Sequence, residues 1–139
     1  MRDDIVTYVT AQCPSFREVK GVADLASALS QKGGKKPGAY VFLLRTSAGP
    51  NKADNRVRQQ ITSSYAILIV TRHANEKTGA KTSNENDDLI KELESKLLGW
   101  QPASNYTAME LGGGALVALQ REFHVWQEVY ITKRQATQI

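Results

Sequence analysis

The amino-acid sequence predicts an α+β domain: an antiparallel sheet with helices packed on one side, in a chain of 139 residues. Three observations lead there. The stretch Gln59–Arg72 has no Gly or Pro, and its second half is rich in β-branched residues, so it reads as a strand. Side chains alternate along a strand, so Ile61, Tyr65, Ile67 and Ile69 share one face, while Thr62, Ser64, Ala66, Leu68 and Val70 share the other. The second half is therefore apolar on both faces and needs cover on each. Next, "NDDLIKELESKLLGW" sets Leu89, Leu93 and Leu97 at i, i+4 and i+8, the period of a helix able to lie back on that sheet and cover its far side. Finally, further strand-like runs lie on either side in sequence, at 39–45 and within 106–134.

Taken in order, residues 3–12 read as a short helix, with Asp3 or Asp4 as cap and Ile5, Tyr8 and Val9 as its apolar stripe. Cys13-Pro14 ends it, because a residue before proline avoids the helical region. "SFREVKG" alternates and suits a short edge strand whose charges discourage further pairing. "VADLASALS" gives a second short helix with Leu25 and Leu29 on one side. The loop "QKGGKKPG" leads into "AYVFLLR", a buried strand by its apolar run. Residues 46–57 are polar, carry Gly49-Pro50 and Asp54-Asn55, and are long for a hairpin connection. Residues 39–72 thus form a hairpin with an extended tip.

Another polar connection, 73–83, precedes the third helix. Thr82 and Glu85 have capping-box spacing, Asp87 and Asp88 sit near the positive end of the dipole, and Gly99 is placed to close the C-terminus. Trp100 is expected to fold under that end as a core plug, worth about 3–5 kcal/mol on truncation. Residues 106–134 carry the last two strands, turning near Arg121-Glu122. Val125, Val129 and Ile131 face one way; Trp126 and Tyr130 face the other. The expected organisation is a single domain over 1–134, with a flexible C-terminal tail at 135–139 and a core containing Tyr65, Ile67, Ile69, Leu89, Leu93, Leu97 and Trp100.

A hydrophobic content of 41% against 23% charged residues suits a globular chain with a real core. No apolar run is long enough to span a bilayer, the first residues lack a signal-peptide layout, and the lone Cys13 has no disulfide partner, which fits synthesis in a reducing cytoplasm. The net charge of +4 is uneven: residues 1–72 carry +6 and residues 73–139 carry −2. A basic half can face nucleic acid or an acidic protein, although a solvated surface of mixed charge also accounts for it.

Catalytic signatures are missing. His73 and His124 have no ligand spacing, and there is no His-Glu-x-x-His. In "GGKKPGAY" the glycines are spaced as in a phosphate loop, but Ala39 and Tyr40 stand where Lys and Ser/Thr are required. A helix-dipole role explains Asp87-Asp88 without a metal ion. The expectation is a noncatalytic domain with no cofactor, metal or membrane association. Two surfaces lack an explanation within one chain: the tip 46–58, with Lys52, Asp54, Arg56 and Arg58, and the aromatic face of the last strand, with Trp126 and Tyr130. Both suit protein partners.

The order "MRDDIVTYV", "FREVKGVADLASAL", "PGAYVFLL", "RVRQQITSSYAILIVTR", "LIKELESKLLGWQP", "MELGGGALVAL" and "VWQEVYITKR" resembles the tail terminator, or tail completion, proteins of long-tailed phages and prophages. The resemblance runs from Met1 to Arg134, and its most specific parts are Leu97–Pro102 and Gly112–Gly114. It departs from the family pattern in the lysine-rich loop 31–38 and at 121–124, where a glycine turn is expected. The resemblance implies a virion protein made in the host cytoplasm and placed at the neck end of the tail. It implies a hexameric ring that caps the tail tube, ends tube polymerisation and gives the head connector a joining surface. DNA would pass through without specific recognition. Alternatives are another neck or tube ring protein and, in a different class, a small basic nucleic-acid-binding domain.

Overall fold

The computed structural model describes residues 1–31, 34–72, 80–119 and 122–138. Along the chain come α1 (Arg2–Gln12), β1 (Glu18–Gly21), α2 (Leu25–Leu29), β2 (Gly38–Ala48), β3 (Arg58–Arg72), α3 (Ala80–Leu97), β4 (Glu110–Leu119) and β5 (Phe123–Thr137). The five strands make one sheet in the order β1-β2-β3-β5-β4. All pairs are antiparallel except β1–β2, which is parallel. The single domain is α+β, as the alternation of strand and helix periods predicts.

The Gln59–Arg72 stretch forms the centre. β3 pairs on one side with β2 and on the other with β5 along its whole length, from Arg58 opposite Thr137 to Arg72 opposite Phe123. Ala66, Ile67, Leu68 and Ile69 are all fully buried, which follows from cover on both faces. The covers differ from the expected assignment. Helices α1 and α3 lie over the face of Tyr65, Ile67 and Ile69, where Ile5, Val9, Leu89, Leu93 and Leu97 complete one core. The far face, where Ala66, Leu68 and Val70 cluster with Tyr40, Phe42, Phe123 and Val125 of the neighbouring strands, is covered instead by Val22 and by Ala28 of α2. The long helix has one leucine stripe and so serves one face; the other falls to α2, whose short, weakly patterned sequence gave little sign of it.

Local ends also differ from expectation. α1 starts one residue earlier, with Met1 at the cap position and Asp3 and Asp4 in its first turn, where the helix dipole favours them. Asp24 caps α2 by accepting from the Ser27 backbone N–H at 2.8 Å. Because α3 begins at Ala80, Thr82 lies inside the helix and not ahead of it, so the Thr82–Glu85 capping box does not mark the start. Gly99 does close α3: its φ of +83° is a left-handed conformation that glycine adopts without penalty. Residues 135–137, set apart above as a tail, are the end of β5 and pair with residues 58–60. His73, residues 73–79 and Arg121 of the expected last turn lie outside the described residues.

Candidate functional site

The hairpin tip is held by its own backbone. Asn51 makes the turn: its Oδ1 accepts from the N–H of Arg58 at 2.8 Å and of Ala53 at 3.2 Å. The Lys52 N–H donates to the Arg58 carbonyl, and the Gln59 side chain donates to the Gly49 carbonyl, both at 2.9 Å. The C-terminal strand joins in. The Gln138 N–H donates to the Val57 carbonyl at 2.8 Å, and the Val57 N–H donates to Gln138 Oε1 at 3.1 Å. The tip is therefore the end of a three-stranded arm built from β2, β3 and β5, which a two-stranded reading of the sequence missed. Fixing the backbone this way removes most of the entropy that a free loop of this length would keep.

Lys52, Asp54, Arg56 and Arg58 all project into solvent on this arm. Among the described residues none of the four makes an ion pair. Lys133 and Arg134 stand further down on β5, half-buried, beside Tyr106 and Gln60 in an open cleft. Three exposed cations and one exposed anion, with no ion pair among the described residues, add little to the fold. The arm presents them.

The aromatic face behaves differently. Tyr130 is 1% exposed and belongs to the core beneath α3, so it cannot serve as the partner contact proposed from sequence. Its alternation with Trp126 is as expected, but α3 covers that face. Trp126 is half-buried and stays partly available. Between them lies Glu128, only 2% exposed. The Trp126 Nε1–H donates to one carboxyl oxygen at 2.8 Å and the Tyr130 hydroxyl donates to the other at 3.2 Å. Burial raises the Glu128 pKa above the ordinary carboxylate range; the Trp126 hydrogen bond opposes this, and the nearby Glu94 adds to it. Burial and Glu128 likewise push the Tyr130 phenol up. Sequence reasoning missed Glu128, although its i+2 spacing from Trp126 and to Tyr130 already placed it on their face.

Trp100 is not a buried plug. It is partly exposed and stacks on Tyr8 of α1, with ring centroids 4.0 Å apart and planes 9° from parallel. The Tyr8 hydroxyl donates to the Lys96 carbonyl at 2.9 Å, and the Met109 N–H donates to the Trp100 carbonyl at 2.8 Å. Trp100 thus clasps α1 to the end of α3 and to the segment entering β4. Tyr65, Ile67, Ile69, Leu89, Leu93 and Leu97 lie in the core.

In the lysine-rich loop, Lys36 is anchored too. Lys36 Nζ donates to the Tyr40 hydroxyl at 2.8 Å, and that hydroxyl donates to Glu18 Oε2 at 2.6 Å. Among the described residues no group of three or more His, Cys, Asp or Glu side chains is placed to hold a metal ion, and no helix is long and apolar enough to cross a membrane. What the surface does offer is the basic arm, whose Lys52, Arg56 and Arg58 are exposed.

The curated proteins hold no match to this chain. The sequence does match a protein family, described as phage tail terminator protein, over residues 3–138, nearly its full length. A match over nearly the full length shows that the chain belongs to the phage tail terminator family, a family of structural phage-tail proteins.

Proposed function

We propose that this tail protein forms a ring, of six copies, at the neck end of the tail tube, where it ends tube polymerisation and gives the head connector a surface to join. The observation that carries this is the arm. It is tied down through Asn51 and Gln138 and carries Lys52, Arg56 and Arg58, which are exposed and form no ion pair among the described residues. A fixed set of like charges suits docking on an acidic surface of a neighbouring copy or of an adjoining ring, where charged groups set encounter rate and register. Family membership supports a tail role. DNA would pass through the ring without being read, and no reaction or cofactor is involved.

The experiment is the double reversal Arg56→Glu with Arg58→Glu. Both side chains are exposed, so the monomer should melt within about 0.5 kcal/mol of the wild type. Sedimentation should show loss of rings, and counting in an in vitro assembly mixture should show fewer capped tails. Normal rings and normal capping at physiological salt would remove the arm from the mechanism.

A further inference from the structure

Among the described residues the sheet has an open stretch of edge on each side. β4 is the outer strand on one side, and among the described residues no strand pairs with its outward edge from Glu110 to Leu119. On the other side, β1 pairs with Gly38–Val41 of β2, and among the described residues no strand lies outside the stretch Leu43–Ala48. An open edge displays unpaired N–H and C=O groups and is ordinarily guarded by charge, proline or shortness. β1 is guarded: it has four residues, among them Glu18 and Lys20. The two open stretches are not. β4 carries one charge, Glu110, and the open part of β2 carries one, Arg45; neither has proline.

Both stretches also expose leucine. Leu111 and Leu116 on β4 are 44% and 50% exposed, and Leu43 and Leu44 on β2 are each 46% exposed. Four of the seven large exposed hydrophobics among the described residues thus sit on these two edges. Glycine bares the β4 backbone further. A Cβ at Gly112 would meet Ile131 at 2.8 Å, one at Gly114 would meet Glu128 at 2.5 Å, and Gly113 (φ +131°) faces open space. Irregularities flank Gly112 and Val117, but Gly113–Leu116 between them pairs regularly with β5.

We infer that β4 of one copy adds to the open stretch of β2 in the next copy, joining the sheets of neighbouring subunits head to tail. The inference rests on the ring reading above and names the contact that closes it. Strand polarity fits: β2 and β5 run one way and β3 and β4 the other, so β4 against β2 of the next copy continues the antiparallel alternation. The contact joins two different surfaces, the heterologous kind that closes into rings.

β1 fixes the offset. Through the register of β5 and β3, Leu116 stands level with Ala39, which β1 covers. To reach Leu43 of the next copy, β4 must slide four positions toward the tip, ~13 Å at ~3.3 Å per residue. A sheet that closes on itself requires a stagger of this kind. The same slide carries Glu110, level with Arg45 in its own chain, to the base of the basic tip of its neighbour, where its charge is complementary.

The test is a full-length variant with Leu116→Cys and Leu43→Cys, treated with a short bis-maleimide. The native Cys13 is fully buried, and burial, with Glu92, pushes its thiol pKa up to about 11, so it stays silent. The expected result is a covalent ladder rising to the ring size in the double variant and none in either single variant. In parallel, Leu116→Lys should weaken assembly by about tenfold or more while the monomer melts normally. Rings without a ladder, or a Leu116→Lys protein that assembles at wild-type concentrations, overturn the edge contact and leave the ring standing. A wild type that stays monomeric by native mass spectrometry, with and without tail tubes, overturns the ring and the edge contact together.

Discussion

Replacing Trp100 with alanine should destabilise the domain by about 3 kcal/mol. A fully covered tryptophan buries roughly 150–250 Å². Trp100 is partly exposed, so roughly 120 Å² is lost, which at ~25 cal/mol per Å² gives ~3 kcal/mol. Of this, ~0.5–1.5 kcal/mol belongs to the stack on Tyr8. For a chain of this size each kcal/mol lowers the melting temperature by ~3–4 °C, so the loss should be about 10 °C. A double-mutant cycle separates stack from burial. Trp100→Ala, Tyr8→Ala and the pair should show a coupling of ~0.5–1.5 kcal/mol in urea melts. Tyr8→Phe keeps the ring and loses only the hydroxyl bond to the Lys96 carbonyl, worth about 0.5 kcal/mol at an exposed position. A Trp100→Ala cost below about 1 kcal/mol, or an additive cycle, would refute the clasp and leave Trp100 as a surface contact.

Three further outcomes are expected. Because burial raises the folded-state pKa of Glu128 above its unfolded value, the folded state holds that proton more tightly; the associated stability is complete below the ordinary carboxylate range and is lost as pH rises through the raised value. Glu128→Gln stays neutral and still accepts from Trp126, so its stability relative to wild type should increase with pH; parallel denaturation curves across the acid-to-neutral range would contradict this. Gly114→Ala should cost about 1–3 kcal/mol, since its Cβ would stand 2.5 Å from Glu128 Oε1 and 2.9 Å from Trp126 Cζ2, and unchanged melting would show that the β4–β5 contact yields easily. Mobility-shift titrations should find only weak DNA binding that falls with salt, because base readout needs convergent polar groups on one groove-sized element; a submicromolar, sequence-selective shift at physiological salt would favour a DNA-binding role instead.

The parts legible in sequence are those where one period dominates. β3 and α3 stand out because Tyr65, Ile67 and Ile69 keep strict alternation and Leu89, Leu93 and Leu97 keep strict helical spacing, and burial follows both. The less legible parts depend on distant residues. Nothing in residues 135–137 marks a strand; they form the end of β5 because β3 runs on to Arg58 and offers an edge. Parallel pairing of β1 with β2 is likewise invisible locally. The three glycines of β4 argue against a strand by propensity, yet the side chains of Ile131, Trp126 and Glu128 occupy the space that Cβ atoms at Gly112 and Gly114 would need.

The candidate site divides along the same line. Charge and length singled out the tip, and its side chains do lie in solvent, with Lys52, Arg56 and Arg58 in no ion pair among the described residues. An aromatic pattern singled out Tyr130, and there the inference failed, because alternation shows which face a side chain takes and not whether a helix covers that face. The same limit hid the sheet edges: Leu111 and Leu116 read as ordinary strand leucines until the strand order leaves β4 outermost. Local pattern fixes orientation, whereas exposure is a property of topology. Charges that the fold leaves unpaired can be found from sequence, but apolar groups that the fold leaves uncovered appear only once the order of the strands is known.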